Sequence, residues 1–211
     1  MSSKPKRPQK PILDFNLTPA CFDRDALKVW RRLHQNKHTV FFVGGCVRDL
    51  LLGRKPKDFD IVTSARPKQI RRLFKNSRII GKRFKLVHIF FSGNIIEVAT
   101  FRRDPDKDPK RDQPLLLQKD NCFGSDQEDA LRRDFTINAL FYELDKELII
   151  DYAGGLEDLE NSKIRAIGKA EIRFQEDPVR IIRALKLAGQ LNFNLVPETK
   201  KAVLDHASVL A

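Results

Sequence analysis

A chain of 211 residues can form one well-packed domain with a smaller attached region, and its 41% hydrophobic content excludes an intrinsically disordered protein. No apolar run in it is long enough to cross a membrane. The 40 Lys and Arg residues outnumber the 28 Asp and Glu residues, so the formal charge of +12 favours a polyanionic partner, either nucleic acid or an anionic membrane surface.

The predicted elements of the first half alternate between helices and strands. The chain starts with a basic, proline-rich stretch, and we expect residues 1–21 to form a flexible tail. Apolar residues at helical spacing predict helices over Phe22–Asn36, Val47–Leu52 and Pro67–Phe74. Runs of β-branched and aromatic residues predict strands over Thr39–Val43, Phe59–Thr63, Leu86–Phe91 and Ile95–Thr100, the last two joined as a hairpin at residues 92–94.

The second half changes from mixed to helical character. Residues 102–121 are charged and contain prolines, which predicts a mobile loop. Further elements are a helix over Glu128–Ala139, strands over Leu140–Leu144 and Leu148–Tyr152, and helices over Pro178–Ala188 and Glu198–Leu210. We therefore expect an α/β head over residues 22–153 and a helical neck over residues 154–211 that belongs to a longer protein.

Cysteine and histidine usage argues against disulfides and zinc. The three cysteines lie far apart, and an odd number does not suit a disulfide framework, so we expect reduced thiols in an intracellular compartment. The four histidines form no ligand cluster.

Two glycines separate the predicted strand Thr39–Val43 from the helix that follows it. Gly44 and Gly45 would let the backbone approach a phosphate closely, and the free N–H groups of a helix N-terminus attract an anion. Arg48, in the first helical turn, would add a charge-assisted contact to a triphosphate. By itself, however, a glycine pair is more typical of an ordinary tight turn.

Two aspartates follow at a spacing of two. Asp58 and Asp60 surround the start of the predicted strand Phe59–Thr63, and residues two apart in a strand point to the same face. Carboxylates that close repel each other, and Mg²⁺ relieves the repulsion because it prefers carboxylates together with substrate phosphates. The alternative is a solvated loop, since Lys55–Lys57 precede the pair.

Several segments together resemble the polymerase-β-like nucleotidyltransferases, and more narrowly the family of bacterial poly(A) polymerases and CCA-adding tRNA nucleotidyltransferases. The resemblance extends from about Val40 to Leu204. Its motifs are Val43–Asp49 with Leu51–Gly53, Asp58–Asp60, Arg132–Ala139, Asp151–Gly155 with Asp158 and Leu159, and Glu176–Arg180. The resemblance implies a head with a mixed sheet and flanking helices, followed by an all-α neck.

The resemblance also implies a reaction and a metal site. The expected activity is the template-independent transfer of AMP from ATP to the 3′-hydroxyl of RNA, with release of pyrophosphate. Asp58 and Asp60 would hold two Mg²⁺ ions, one activating the 3′-hydroxyl and one stabilising the leaving group. Gly44, Gly45 and Arg48 would hold the incoming triphosphate.

Two further carboxylates are candidates for the site. By resemblance, Asp134 faces the nucleotide sugar and is a catalytic residue, with Arg133 on the phosphates. Glu97 lies on the apolar predicted strand Ile95–Thr100, where a carboxylate is costly to bury without a partner, and it is the candidate third metal carboxylate. Alternatively, Glu97 is an edge-strand residue facing water.

Recognition of the base is expected at the start of the helix predicted after residue 177. Asp177 precedes a proline, which is typical of a helix cap followed by the first helical position. Asp177, Arg180 and Arg183 share one side of that helix, and Ile181 and Leu185 are predicted to be core residues. By resemblance, Asp177 and Arg180 read the edge of the incoming base, and Arg183 extends this surface.

The shared motifs do not separate poly(A) synthesis from CCA addition. Residues 79–89 and 120–125 resemble stretches that mark bacterial poly(A) polymerases, which favours adenylation. A CCA-adding enzyme is the alternative, and a catalytically inactive RNA-binding fragment is a second one. We expect ATP and RNA 3′ ends as partners, no membrane, no obligatory protein partner, and a location in the bacterial cytoplasm or, alternatively, in a chloroplast or mitochondrion.

Overall fold

A computed structural model describes residues 9–11, 17–81, 85–104 and 122–207. Its centre is a mixed sheet of eight strands: β1 (Gln9–Pro11), β2 (Val40–Val43), β3 (Ile61–Thr63), β4 (Ser77–Ile80), β5 (Leu86–Phe91), β6 (Asn94–Thr100), β7 (Leu140–Glu143) and β8 (Leu148–Asp151). The strands lie in the order β1-β8-β7-β2-β3-β6-β5-β4. β3 pairs with β6 in parallel, and the other neighbouring pairs are antiparallel.

Helices accompany the sheet and then dominate the second part of the described chain. They are α1 (Arg24–Gln35), α2 (Gly45–Leu51), α3 (Pro67–Leu73), α4 (Asp126–Leu131), α5 (Gly155–Glu160), α6 (Ala170–Glu176), α7 (Val179–Leu191) and α8 (Pro197–His206). A short parallel pair also forms there, β9 (Lys163–Ile164) with β10 (Asn194–Leu195). The predicted mixed sheet with flanking helices is confirmed. The expectation that the region after it is all-α is wrong for residues 163–164 and 194–195, which form the β9–β10 pair.

One face of the sheet is packed against α1 and α3. Trp30 and Leu33 of α1 are buried in one apolar cluster with Phe42 of β2 and Val98 of β6. The indole N–H of Trp30 also donates to the carbonyl of Val40 at 3.2 Å. Burying a side chain of this size contributes roughly 1.5–3 kcal/mol, so this face holds much of the core.

The opposite face is covered over part of its width. Phe41, Val62 and Phe141, on β2, β3 and β7, form a second apolar cluster with Ala130 of α4 and Ile167. Over β4, β5 and β6, several described side chains on this face are exposed to solvent. The sheet therefore has a covered half and an open half on this side.

The helix predicted over Glu128–Ala139 is wrong beyond the end of α4. The backbone that follows bonds to a neighbouring segment instead of continuing the helix. The amide of Thr136 donates to the carbonyl of Arg165 at 3.0 Å, and the amide of Ile167 donates to the carbonyl of Asp134 at 2.9 Å. The Arg-Arg-Asp motif consequently lies on an irregular turn, which only these tertiary contacts determine.

Smaller corrections concern the site strand and α7. β3 begins at Ile61, so Asp58 and Asp60 precede the strand instead of surrounding its start. On α7, Leu185 is 52% exposed whereas Ile181 is buried, so Leu185 is not a core residue. The pattern also missed β4, α5, α6 and the β9–β10 pair, because elements this short show little periodicity.

Part of the predicted N-terminal tail belongs to the fold. β1 pairs with β8, and the carbonyl of the buried residue Leu17 accepts a hydrogen bond from the hydroxyl of Tyr142 at 2.8 Å. Most of the rest of the predicted tail and of the predicted mobile loop lies outside the described residues, namely 1–8, 12–16 and 105–121. The boundary between head and neck at residue 154 stays a prediction.

Candidate nucleotide-binding site

A cavity of about 390 Å³ opens between the sheet and α7. Most of the predicted site residues line it: Gly44, Gly45, Asp60, Arg133, Asp134, Asp177, Arg180 and Arg183. Its other lining residues are Leu86, Arg102, Arg132 and Asn138. Three predicted site residues, Arg48, Asp58 and Glu97, are not part of this lining.

The turn between β2 and α2 brings the backbone to the cavity wall. Gly44 has a φ of 78°, in the left-handed region that side chains with a Cβ rarely adopt. A Cβ at this position would lie 3.5 Å from Nη1 of Arg133. Glycine therefore permits the turn, and the guanidinium group of Arg133 lies at ordinary contact distance beside it.

Asp60 reaches the cavity from the segment before β3. Its carbonyl accepts a hydrogen bond from the amide of Val43 at 3.1 Å, which ties this segment to β2. The pKa of the Asp60 carboxyl is raised, first by burial and then by the negative charges of Glu97 and Asp58, against the opposing effect of Arg133. Glu97 and Asp58 thus each lie close enough to Asp60 to disfavour its negative charge.

Asp58 and Glu97 stand outside the cavity. Asp58 is exposed, and Oε1 of Glu97 lies 3.0 Å from Nε2 of His88 on the neighbouring strand. Within the described ranges, no group of three or more His, Cys, Asp or Glu side chains is arranged to hold a metal ion. Because Mg²⁺ takes one or two protein carboxylates together with phosphate oxygens and water, a small protein ligand set suits a nucleotide-dependent site.

A buried carboxylate holds both arginines of the Arg-Arg-Asp motif. Asp129 is 1% exposed and accepts hydrogen bonds from Nη2 of Arg132 at 3.1 Å and from Nη2 of Arg133 at 2.9 Å. It also accepts from the amide of Arg102 at 3.1 Å. Burial alone would raise the pKa of Asp129, but the two guanidinium groups and this amide outweigh it, so the pKa is lowered.

Two ion pairs organise the start of α7 at the cavity. Nη2 of Arg183 lies 2.8 Å from Oδ2 of Asp134, and Nε of Arg180 lies 3.8 Å from Oδ2 of Asp177. The pKa of Arg180 is lowered by burial and then by the neighbouring charge of Arg173. Nη1 of Arg180 is buried without a hydrogen-bond partner in the part of the chain that the structure describes, so this N–H group is available to a ligand.

Arg48 lies beside the cavity and is paired within the protein. Its Nη1 donates to Oδ1 of Asn138 at 2.6 Å, and its Nε donates to Oδ1 of Asp49 at 2.8 Å. A Cβ on Gly45 would lie 3.6 Å from its Nη2. Arg48 thus connects α2 to the turn that carries Asn138, and its predicted contact with a triphosphate stays a prediction.

Three residues at the site were not predicted from the sequence: Asp129, Arg102 and Asn138. Asp129 precedes Arg132 and Arg133 by three and four positions, which is the spacing of ion pairs along a helix and was a usable signal. Arg102 carries no such signal. Asn138 lies within the motif Arg132–Ala139, but the motif alone does not show that its side chain pairs with Arg48, because only the packing of distant segments brings the two together.

The sheet, the glycine turn and the carboxylates beside the cavity define the fold class as that of a nucleotidyltransferase head. Residues 40–165 match a family model described as the poly A polymerase head domain. Since this match covers more than half of the sequence, the chain belongs to the poly(A) polymerase head family.

Curated relatives carry two different names. The chain is 48% identical over 192 residues to poly(A) polymerase I of Salmonella typhimurium, which covers 88% of this chain and 41% of the relative. It is 41% identical over 199 residues to the CCA-adding enzyme of Lactobacillus johnsonii, covering 94% of this chain and 48% of the relative. The chain thus spans less than half the length of these relatives.

Two solved structures of similar fold are CCA-adding enzymes, one with a nucleotide and one with RNA. The enzyme of Bacillus stearothermophilus in complex with CTP has a TM-score of 0.77 and 37% identity, over 89% of this chain and 44% of that chain. The Thermotoga maritima enzyme complexed with tRNA has a TM-score of 0.65 and 28% identity, over 86% of this chain and 42% of that chain. In the described residues of this protein, no helix has the length and apolar character needed to cross a membrane.

Proposed function

We propose that this protein transfers AMP from ATP to the 3′-hydroxyl of RNA without a template and releases pyrophosphate. The cavity supports this most, because it gathers carboxylates and arginines from separate parts of the chain beside the glycine turn. Arginine is suited to phosphate and to the planar edges of bases. The identity of 48% with a poly(A) polymerase I, against 41% with a CCA-adding enzyme, favours adenylate addition.

The triphosphate would lie along the turn between β2 and α2. Arg133, whose guanidinium is beside Gly44 and is held by Asp129, would donate to the phosphate oxygens. Gly45 would allow the phosphates to approach the backbone, since it has no side chain. Arg48 would join them if it left its partner on the neighbouring turn.

The sugar and the base would face α7. Asp134 is 8% exposed and ion-paired with Arg183, and its Oδ2 is buried without a hydrogen-bond partner in the part of the chain that the structure describes. Its carboxylate is therefore positioned to accept from a ribose hydroxyl at the cavity wall. Asp177 and Arg180 would meet the edge of the base, with the unpaired Nη1 of Arg180 as a donor. A pair that both accepts and donates can match the edge of adenine, which offers a donor and acceptors.

Asp58 and Asp60 would hold the metal in this proposal, two Mg²⁺ ions in all, with Glu97 as the candidate third carboxylate. When bound, the ions would supply the positive charge that in-line displacement at phosphorus requires. The negative charges of Glu97 and Asp58, which add to burial in raising the pKa of Asp60, support this assignment, since repulsion between carboxylates is what a divalent cation relieves. Glu97 would have to exchange its contact with His88 to take part.

CCA addition is the second candidate function. The structure of the CCA-adding enzyme in complex with CTP is similar over most of this chain, with a TM-score of 0.77. The ion pair of Asp177 with Arg180 can present donors and acceptors to cytosine as well as to adenine. RNA 3′ ends are the substrate class proposed for both functions. The proposed location is the bacterial cytoplasm, which the bacterial source of the relatives supports, with an organelle as the alternative.

Nucleotide incorporation tests the proposal. Labelled ATP or CTP would be supplied with Mg²⁺ and one of two primers, an oligo(A) RNA or a tRNA that lacks its CCA end. The double variant Asp58→Ala/Asp60→Ala removes the metal carboxylates. Its matched control is Asp145→Ala/Asp205→Ala, which removes two carboxylates from exposed positions away from the cavity. We expect adenylate on both primers from the wild type and the control, and none from the site variant.

Other outcomes identify the competing functions. Addition of CTP and then ATP to the trimmed tRNA alone would identify a CCA-adding enzyme. A wild type that retains RNA in a gel but adds no nucleotide would contradict catalysis and support an RNA-binding fragment. Incorporation that survives in the Asp58→Ala/Asp60→Ala variant would overturn the assignment of the metal carboxylates.

A further inference from the structure

Strand β5 has one face that begins at the nucleotide cavity and continues into solvent. Leu86, His88 and Phe90 point to this face, because residues two apart in a strand share a side. Val87 and Ile89, which alternate with them, are buried in the core on the opposite side. Leu86 lines the cavity. Phe90 lies four residues further along the strand, a distance of roughly 13 Å at the usual rise per residue.

Neighbouring strands widen this open face. The antiparallel register places Glu97 and Ile95 of β6 opposite His88 and Phe90, and Arg78 of β4 opposite His88. Ile95 is 51% exposed and Phe90 is 39% exposed, so an apolar patch is presented to solvent. The ring of His88 meets that of Phe90 edge to face, with 6.3 Å between the centroids.

Cations lie at the edge of the sheet beside Phe90. The segment 66–78, which runs from the start of α3 into β4, contains six Lys and Arg residues and no acidic residue, and three of these cations reach this edge. Arg71, Lys75, Arg78 and Phe90 line a groove of about 520 Å³ at this edge. Nη1 of Arg71 donates to the carbonyl of Lys75 at 2.9 Å, which fixes its guanidinium in the groove wall.

These features fit single-stranded RNA. An exposed aromatic ring on an open sheet stacks on unpaired bases, and adjacent cations bind the phosphates. In a duplex the faces of the bases are stacked on one another and cannot stack on Phe90. A single aromatic ring on a flat sheet does not suit binding to an anionic membrane. The face also starts at the cavity, where a 3′ end would have to lie.

We propose that the open face of β4, β5 and β6 binds the RNA segment immediately upstream of the 3′ end. One base stacks on Phe90 against Ile95, and phosphates contact Lys75 and Arg78. This assignment rests on the proposed function, since it takes RNA as the substrate. It adds a site that lies outside the cavity and away from α7.

Fluorescence anisotropy of a labelled single-stranded oligo(A), without ATP, tests the site. The variants are Phe90→Ala, Phe90→Trp and the double charge reversal Lys75→Glu/Arg78→Glu. The control Arg24→Glu/Arg31→Glu makes the same charge change at exposed positions of α1, on the covered face of the sheet. Circular dichroism checks that each variant is folded.

The variants are expected to differ in their affinity for single-stranded RNA. Phe90→Ala weakens binding on the order of tenfold, because a base loses its stacking partner, whereas Phe90→Trp retains binding. Lys75→Glu/Arg78→Glu weakens binding and reduces the slope of log affinity against log salt by about 1.4, or about 0.7 for each RNA phosphate that a cation no longer neutralises. The α1 control changes affinity much less than this reversal. Duplex RNA shows no effect of Phe90→Ala.

The outcomes separate this site from the proposed function, because the binding assay requires no catalysis. Equal weakening by the two charge reversals would overturn the site, as would unchanged binding by Phe90→Ala or the absence of RNA binding by the wild type. A wild type that binds RNA through this face but incorporates no nucleotide would refute the proposed function and leave the site standing. If the charge-reversal variant fails to fold, the comparison of Phe90→Ala with Phe90→Trp decides whether this face binds RNA.

Discussion

Replacing Asp129 by asparagine keeps the shape of the side chain and removes the charge that holds Arg132 and Arg133. Removing one partner from a buried ion pair costs about 3–5 kcal/mol, because the remaining charge is left uncompensated. The side chains of Arg132 and Arg133 are 20% and 21% exposed, so water relieves part of this cost. We expect Asp129→Asn to lower the free energy of unfolding by about 3 kcal/mol.

Urea denaturation followed by circular dichroism measures this loss. At about 2–4 °C per kcal/mol for a chain of this size, the melting temperature should fall by about 6–12 °C. The control Asp205→Asn, at an exposed position on α8, should change stability by less than about 0.5 kcal/mol. If the two variants were equally stable, Asp129 would not be the residue that holds the two arginines.

The pH dependence gives this prediction a definite sign. The pKa of Asp129 is lowered in the folded protein, so its contribution to stability is present above the unfolded pKa, near 3.8, and is lost as the pH falls through the folded pKa. The difference in unfolding free energy between wild type and Asp129→Asn should therefore be complete at neutral pH and should shrink below about pH 4. A difference that grows on acidification would refute the reasoning.

Two further predictions need no assumption about catalysis. A Cβ on Gly155 would overlap the carbonyl oxygen of Thr136, so Gly155→Ala should destabilise the fold by about 2 kcal/mol or more. A Cβ on Gly189 of α7 would meet no atom within 4 Å, so Gly189→Ala should stabilise the fold by about 0.5–1 kcal/mol. Urea midpoints measure both, and equal shifts would contradict the close approach. Burial, and then the charge of Asp60, raise the pKa of the Cys46 thiol to about 12. Iodoacetamide at pH 8 should therefore modify the exposed Cys21 and should modify Cys46 only after the protein unfolds. Mass spectrometry reads this out, and alkylated Cys46 in the native protein would count against it.

Much of the sheet could be predicted from local sequence. Runs of β-branched and aromatic residues identified β2, β5, β6, β7 and β8 because each of these strands buries at least one face. Asp23 caps α1 through its side chain, and a glycine turn joins β5 to β6, so both signals are contained within a few residues. The order of the strands in the sheet carries no such local signal.

The site was predictable in composition but not in its contacts. The spacing of two aspartates pointed to Asp60, and the family resemblance pointed to Asp134 and Arg180. All three line one cavity. Arg48 was also singled out, yet it is paired with Asn138, which lies far away in the sequence. No pattern around Arg48 could show this, because its partner is brought there by the irregular turn after α4.

The sequence by itself determined which chemical groups this protein carries: paired carboxylates, arginines beside an aspartate, a glycine turn and a basic stretch near β4. The tertiary structure decided which of these groups meet and which remain open. Asp129 holds two arginines, and Phe90 stays exposed on the sheet that leads from the cavity. The physical reason is that burial and pairing depend on contacts between distant segments, whereas periodicity and motif spacing report only on neighbouring residues.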